Sequence, residues 1–335
     1  MNNSEKFMSR CLFLAQNGAY YVAPNPMVGA VLVGPNGDIL AEGWHQQYGG
    51  AHAEVNCFKD AEERGVSDEL IKQSTLYVSL EPCSHYGKTP PCAELIIRKG
   101  VHKVVVGILD PNPLVQGKGI ALLRSAGIEV EIGVLEKECR EVNKRFLCFQ
   151  EKKRPYVTLK WAETADGYMD SYRTEKGNGP LRISTDYSKQ LVHQMRAMNM
   201  AIMVGATTAL LDDPQLTTSK WAGRNPIRIL ADRRHRVPKT ARIFNNDAET
   251  IVYADNTDWR FIVKDLAARN IHSIMVEGGA QLLNHILATG IYDEVHVEVS
   301  NEVLGRVGVK APVVDLHDAR QSVVDGHILY EKKHI

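Results

Sequence analysis

The chain has 335 residues, with 40 basic and 40 acidic side chains, a formal net charge of zero, 44% hydrophobic content and 24% charged content. Balanced charge argues against a general nucleic-acid or anionic-membrane binder, which needs an excess of Lys and Arg to hold phosphate. No apolar run approaches the roughly eighteen residues of a membrane span, Met1-Asn2-Asn3-Ser4-Glu5 does not read as a signal peptide, and the length points to two domains.

In chain order, Ser4 is the expected N-cap of a first helix, in which Phe7, Cys11 and Leu14 fall at helical spacing and which Gly18 ends. A proline-rich loop follows from Tyr20 to Gly29. Val28 to Gly34 reads as a buried strand, Pro35-Asn36-Gly37 as a turn and Asp38 to Trp44 as the returning strand. Ala53 to Arg64 reads as a helix stopped by Gly65. Thr75 to Leu80 and Val101 to Leu109 read as strands, Cys92 to Lys99 and Gly117 to Ala126 as helices, Ile128 to Gly133 as a strand, and Glu136 to Gln150 as one closing helix. This alternation implies a largely parallel sheet with helices on both faces. Ligands then belong at the carboxyl ends of its strands.

Two short runs in this half carry chemistry. His52-Ala53-Glu54 and, about thirty residues later, Pro82-Cys83 with Cys92 supply one imidazole, two thiols and a carboxylate. Catalytic zinc takes three nitrogen or sulfur ligands and keeps a fourth position for water, whose pKa it lowers to near neutrality. His52, Cys83 and Cys92 are the expected zinc ligands, and Glu54 the residue that moves protons between water and substrate. The pattern follows the H-x-E…P-C-x-x-C signature of zinc nucleobase deaminases. It departs from that signature in the second cysteine, which stands nine positions after the first. A four-ligand structural zinc site, with His85 or Cys57 as the fourth ligand, is the bland alternative. Glu54, two residues from His52, favours a working site. All six cysteines (Cys11, Cys57, Cys83, Cys92, Cys139 and Cys148) fall in this half, which fits two zinc thiolates and four reduced thiols in a cytoplasmic protein better than a disulfide scaffold.

The string Leu80 to Cys92, preceded by Pro24-Asn25-Pro26-Met27-Val28-Gly29, resembles the bifunctional riboflavin biosynthesis family, which joins a pyrimidine deaminase to a pyrimidine reductase. The resemblance implies a cytidine-deaminase-like three-layer α/β/α domain over residues 1–150. It also implies that Asn25 and His45 reach the deaminase substrate, and that His85 and Lys88, in the loop between the two thiols, bind its ribose phosphate.

Glu151-Lys152-Lys153-Arg154-Pro155 is a charged hinge and the expected domain boundary. Tyr156 to Trp161 reads as a strand leading to an Asp166-Gly167 turn and a long polar loop to Pro180, consistent with a ligand lid. Asp186 to Arg196 reads as a helix, Ala201 to Val204, Pro226 to Asp232, Thr250 to Tyr253 and Ser273 to Val276 as strands, and Trp259 to Ala268 as a helix. Glu277-Gly278-Gly279-Ala280 then opens another helix. Glycine allows a phosphate to approach the free N–H groups there, but the run is not a Rossmann fingerprint.

The resemblance extends over residues 151–335 to the family's reductase, a dihydrofolate-reductase-like α/β domain that uses NADPH. It implies cofactor contacts at Glu163, Arg182, Thr208, Asp212, Arg233 and Gly279, and reductase-substrate contacts at Pro180, Arg196, Leu216 and Glu277. The family's A-S-L-D-G run is Thr164-Ala165-Asp166-Gly167 preceded by Glu163 here. Pro180 and Arg182 stand where the family has Ser and Trp, after a longer loop. The expected protein is a cytoplasmic, homo-oligomeric, two-domain enzyme using Zn2+ and NADPH on small phosphorylated pyrimidines, without nucleic-acid or membrane partners. The alternatives are a deaminase of another base, a deaminase fused to a reductase-like domain that only binds ligand or mediates oligomerisation, and a non-enzymatic zinc protein.

Overall fold

The computed structural model describes residues 2–84, 90–112, 116–173 and 179–334. The chain separates into two compact units, Met1–Lys153 and Arg154–Ile335.

The first unit opens with α1 (Asn3–Gln16). Its cap is Asn2, not Ser4: the Asn2 side chain accepts the Glu5 N–H at 2.8 Å while the Glu5 carboxylate accepts the Asn2 N–H at 2.9 Å. This reciprocal box satisfies two orphan donors, which Ser4 inside the first turn cannot do. Five strands, β1 (Gly29–Val33), β2 (Ile39–Trp44), β3 (Thr75–Leu80), β4 (Lys103–Ile108) and β5 (Glu129–Ile132), form one sheet in the order β2-β1-β3-β4-β5. A largely parallel sheet is not what forms. β1 is antiparallel to both β2 and β3, and only β3, β4 and β5 run parallel. The tight turn at Gly37, φ +85°, forces the first hairpin, whereas α4 (Cys92–Lys99) and α5 (Lys118–Ser125) supply the long crossovers that parallel neighbours require.

Both faces of this sheet are covered. On β1, Ala30 and Leu32 join a core with Cys57 and Phe58 of α2 (Ala53–Glu63), Ile71 of the short α3 (Asp68–Lys72) and Ile96 of α4. Val31 and Val33 point the other way, to α1, as a period of two demands. α2 sits directly on β2: a methyl group on Gly43 would lie 2.3 Å from the Cys57 backbone nitrogen. The expected closing helix is two, α6 (Glu136–Val142) and α7 (Lys144–Lys152). They break at buried Asn143, whose side chain accepts the Met27 N–H at 2.8 Å and donates to the Met27 carbonyl at 3.0 Å. That pair ties the proline-rich loop to the helix junction.

The second unit is built on an eight-stranded sheet. β10 (Thr250–Tyr253), β9 (Ile227–Ala231), β8 (Ala201–Gly205), β11 (Ser273–Val276), β6 (Tyr156–Glu163) and β12 (Glu294–Val299) run parallel in that order, followed by antiparallel β15 (His327–Lys333) and β14 (Arg320–Val324). α10 (Trp259–Ala268) and α11 (Ala280–Thr289) cover one face, with Met203, Ile229 and Val276 beneath them. α8 (Asp186–Ala197) and α9 (Ala206–Asp212) lie against the other, over Ile202, Val204 and Leu230. Within the loop expected to act as a lid, β7 (Tyr168–Ser171) pairs with β13 (Gly308–Lys310).

Candidate active sites

The carboxyl end of β3 and the first turns of α2 and α4 meet at one point. His52 is the N-cap of α2, Cys92 opens α4, and Cys83 lies three residues past β3. The His52 Nδ1 atom is 3.3 Å from Cys92 Sγ and 3.6 Å from Cys83 Sγ. With Zn–N near 2.0–2.1 Å and Zn–S near 2.3 Å, two ligands of a tetrahedral zinc stand about 3.6 Å apart, so these side chains fit that ion. The Cys92 N–H donates to Cys83 Sγ at 3.3 Å, and the positive ends of both helices favour thiolate here. The Cys83 thiol is pulled down to about 4, first by the hydrogen bond from Cys92, with His52 adding to it against the cost of burial. The same contact, with burial, pushes Cys92 up. The hydrogen bond to Cys83 raises His52.

Glu54, in the first turn of α2, is 3% exposed. Burial raises its carboxyl above the usual range, against the opposing pull of His52. His52, Cys83 and Cys92 form one ligand cluster, and Glu54 follows His52 by two residues in the first turn of α2. Cys57 does not join it: the thiol is buried in the core under α2 and pushed up by that burial. His45 is buried beside the site, its ring 5.6 Å from that of His52. Its Nδ1 is 2.9 Å from the Ala51 carbonyl and its Nε2 is 3.1 Å from Asn25 Nδ2. His85 and Lys88 lie outside the described residues.

Glu81 is a residue that the sequence reading missed. Buried between Leu80 and Pro82, it accepts backbone N–H groups from Asp110 (3.2 Å), Gly117 (3.0 Å), Gly119 (3.1 Å) and Ile120 (3.4 Å). One carboxylate thus pins the start of α5 and the loop before it behind the Cys83 segment. The only signal was an acidic residue in an otherwise apolar strand end.

In the second unit a cavity of about 850 Å³ opens at the carboxyl ends of β8 and β9 and at the N-terminus of α11. Thr208, Arg233 and Gly279 line it, together with Arg236, Asp255 and Tyr172. Glu163, Arg182 and Asp212 do not. Glu163 accepts the Trp161 indole N–H at 2.8 Å, and burial raises its carboxyl. Asp212 is held by Arg173 at 2.6 Å. Arg182 and Pro180 are exposed on the segment leading to α8.

Arg196 and Glu277 form a two-pronged pair at 2.9 and 2.6 Å. Arg196 also donates to the Thr217 carbonyl at 3.1 Å, beside buried Leu216, whose φ is +55°. Three of the four expected substrate residues therefore stand together. Lys160, on β6, was not singled out from the sequence. Burial lowers its pKa, while Glu277 and Glu298 act against that shift. Glu298 in turn accepts Ser184 Oγ–H at 2.6 Å and is 2.8 Å from His327 Nδ1. Glu294, His296 and Glu331 also cluster across β12 and β15. Lys160 lies opposite His296 and Arg320 opposite Glu331 in register, so basic side chains flank this cluster on both sides.

Comparison with known proteins follows the same division. Residues 1–108 match the cytidine and deoxycytidylate deaminase zinc-binding region, and residues 155–323 match the RibD C-terminal domain. The chain is 38% identical over 323 residues to the riboflavin biosynthesis protein RibD of Aquifex aeolicus, covering 90% of this chain and 88% of that one. Among solved structures it is similar to the diaminohydroxyphosphoribosylaminopyrimidine deaminase/5-amino-6-(5-phosphoribosylamino)uracil reductase of Thermotoga maritima, with a TM-score of 0.90, 36% identity and 99% of both chains covered. It is also similar to Acinetobacter baumannii RibD, with a TM-score of 0.84, 31% identity and 98% of both chains covered. Among the described residues no helix is long and apolar enough to cross a membrane.

Proposed function

The chain belongs to the RibD family of bifunctional riboflavin biosynthesis enzymes, a zinc-dependent deaminase joined to a reductase, and on that premise we propose which residues carry each reaction. Residues 1–150 deaminate 2,5-diamino-6-hydroxy-4-(5-phosphoribosylamino)pyrimidine. Residues 151–335 reduce the ribose of the resulting 5-amino-6-(5-phosphoribosylamino)uracil to ribityl with NADPH.

In the first reaction water adds to the ring carbon bearing the amino group, and ammonia leaves as the carbonyl forms. His52, Cys83 and Cys92 would hold a zinc ion, which would supply a Lewis acid able to bring the pKa of a water molecule near neutrality. The Glu54 carboxylate takes a proton from the attacking water and returns it to the departing nitrogen. Asn25 binds the pyrimidine through its amide; His45, expected from the resemblance to reach the substrate itself, has both ring nitrogens engaged within the protein and holds that amide in place. His85 and Lys88 bind the ribose phosphate. The observation that carries this reading is the meeting of three zinc-type ligands with a buried carboxylate at two helix starts.

In the second reaction the nicotinamide cofactor supplies hydride, and the protein orients two ligands. The cavity that holds Thr208, Arg233 and Gly279 lies within the usual size of a ligand site, about 300–1,000 Å³. It includes the start of α11, which has no side-chain cap, so free N–H groups can meet a phosphate. Glu163, Asp212 and Arg182, expected as cofactor contacts, stay in the proposal on the family resemblance alone, since they do not line this cavity. Arg196, Glu277, Leu216 and Pro180 serve the substrate side. A homo-oligomer is part of the proposal, supported by the exposed apolar side chains of Val303, Val307, Val313 and Val323. So is a cytoplasmic location, supported by six cysteines among which no disulfide forms.

A paired assay on zinc-loaded protein tests this. Ammonia release from the diaminopyrimidine followed by NADPH oxidation in the same tube is expected. Ammonia without NADPH oxidation would reduce the second unit to a binding or structural role. No ammonia would overturn the assignment of the first.

A further inference from the structure

We propose that Asn143, at the junction of α6 and α7, is a positioning residue for the deaminase: it fixes the loop that carries Asn25 and so sets the affinity for the pyrimidine. The inference rests on the deaminase reading above and extends it to a side chain 116 positions beyond its partner in that loop.

The loop from Tyr20 to Gly29 has few means of holding itself. Pro24 and Pro26 carry no N–H, so from Ala23 to Met27 only Ala23, Asn25 and Met27 keep a backbone donor. The Asn25 N–H is spent inside the loop, on the Val22 carbonyl at 2.8 Å. Met27 donates its N–H to Asn143 Oδ1 at 2.8 Å, and its carbonyl accepts from Asn143 Nδ2 at 3.0 Å. The Val28 carbonyl accepts the His45 N–H at 2.9 Å, and Gly29 opens β1 with its N–H on Ser79 Oγ at 3.1 Å. His45 Nε2 is 3.1 Å from the Asn25 side-chain nitrogen. A ring therefore closes through Asn25, His45, Val28 and Met27, and Asn143 attaches that ring to α6 and α7.

Asn143 gives up a local role to do this. Asparagine is a favoured N-cap, where its side chain accepts an N–H of the first turn. Asn143 stands at the N-cap of α7, yet its side chain makes no cap bond. Both polar ends go to Met27 instead, and the residue is 2% exposed, so water does not compete for them. A side-chain amide carries a donor and an acceptor side by side, which matches the N–H and C=O of one residue. The placement serves the loop and not the helix that Asn143 begins.

The test is ammonia-release kinetics of full-length, zinc-loaded Asn143→Ala, with zinc content and melting temperature measured beside it. KM for the diaminopyrimidine should rise about tenfold, with kcat within about twofold of wild type and zinc retained. Asn143→Asp keeps the acceptor for the Met27 N–H and loses the donor to its carbonyl, so its KM should rise less; it also supplies the comparison if the alanine variant does not fold. In an Asn25→Ala/Asn143→Ala double variant kcat/KM should equal that of Asn25→Ala alone, because no amide is left in the loop to position. Unchanged KM in the Asn143 variants overturns the inference, whatever their melting temperature. So does an additive loss in the double variant, since Asn143 then acts on the fold and not through Asn25. No ammonia from wild type overturns the deaminase reading itself, and the inference with it.

Discussion

His45 Nε2 lies 3.1 Å from the side-chain amide nitrogen of Asn25, and His45 Nδ1 lies 2.9 Å from the Ala51 carbonyl. A carbonyl only accepts, so Nδ1 carries the ring proton, and Nε2 accepts from Asn25. Burial lowers the pKa of His45 and supports this neutral tautomer. Both ring nitrogens are thus spent within the protein, and His45 acts by fixing the Asn25 amide. Asn25→Ala should lower deaminase kcat/KM by roughly 10²-fold with zinc content unchanged. His45→Ala should act mainly on KM, and His45→Gln should restore part of the loss. Zinc analysis beside ammonia-release kinetics checks this; loss of zinc in Asn25→Ala would sink it.

Glu54 is no ligand in the geometry described, so metal and catalysis should separate on its removal. Glu54→Gln should keep one zinc per chain and lose deaminase activity by about 10²–10⁴-fold. NADPH oxidation with the deaminated pyrimidine supplied directly should continue at the wild-type rate. Zinc loss in this variant would place the carboxylate among the ligands instead.

Chelation should likewise divide the two reactions. Stripping zinc should abolish ammonia release and lower the melting temperature of the first unit, because Cys83, Cys92 and His52 are then left as a close-packed cluster without their ion. Reduction of the supplied deaminated pyrimidine should be unaffected. A parallel fall in reductase activity would contradict the independence of the two sites.

The four N–H groups gathered by Glu81 predict a structural effect next to the metal. Glu81→Gln replaces one acceptor oxygen with a donor that faces N–H groups. A loss of roughly 2–4 kcal/mol is expected, together with weaker zinc binding because the Cys83 segment loosens. Denaturant melts and zinc competition measure both. An unchanged melt would show that the loop is held by other contacts.

The Arg196–Glu277 pair gives the second unit a defined acid response. Burial alone would raise Glu277, but the charge and hydrogen bonds of Arg196, with Lys160 adding to them, outweigh it and hold the carboxyl below its usual 4.5. A folded pKa below the unfolded one contributes stability above the unfolded value that is lost as pH falls through the folded one. Stability should therefore drop on acidification below about 4.5. Arg196→Gln leaves burial dominant, so the folded pKa rises and stability should then fall as pH increases from about 4 to 7. The variant should also be about 3–5 kcal/mol less stable at neutral pH. Chemical denaturation at several pH values reads the slope; the same slope in both proteins would refute this.

How far the sequence could be read depended on how locally each feature is encoded. The elements of the first unit were legible because their hydrophobic periods are strong and their turns carry Gly, Pro and Asn. The metal cluster was legible because one helix turn joins His52 to Glu54 and two Cys residues flank a single loop. What escaped was encoded at long range. β12 carries Glu294 and Glu298, 1% and 2% exposed. No element was read there in the sequence; partners distant in the chain, Tyr156 for Glu294 and Ser184 and His327 for Glu298, make that burial tolerable. Asn143 broke a helix because Met27, 116 residues away, offered it two hydrogen bonds. The direction of β1 against β3 and the four donors meeting Glu81 were likewise invisible to local pattern.

By itself, then, the sequence determined which atoms can bind metal and move protons, because covalent spacing within a turn or loop limits where they can go. Tertiary structure alone decided which side chains share the reductase cavity. Parallel crossovers bring residues as distant as Thr208, Arg233, Asp255 and Gly279 to one end of a sheet. They left Arg182 on an exposed segment outside the cavity. Packing of strands and helices sets that meeting point, and no local pattern of residues records it.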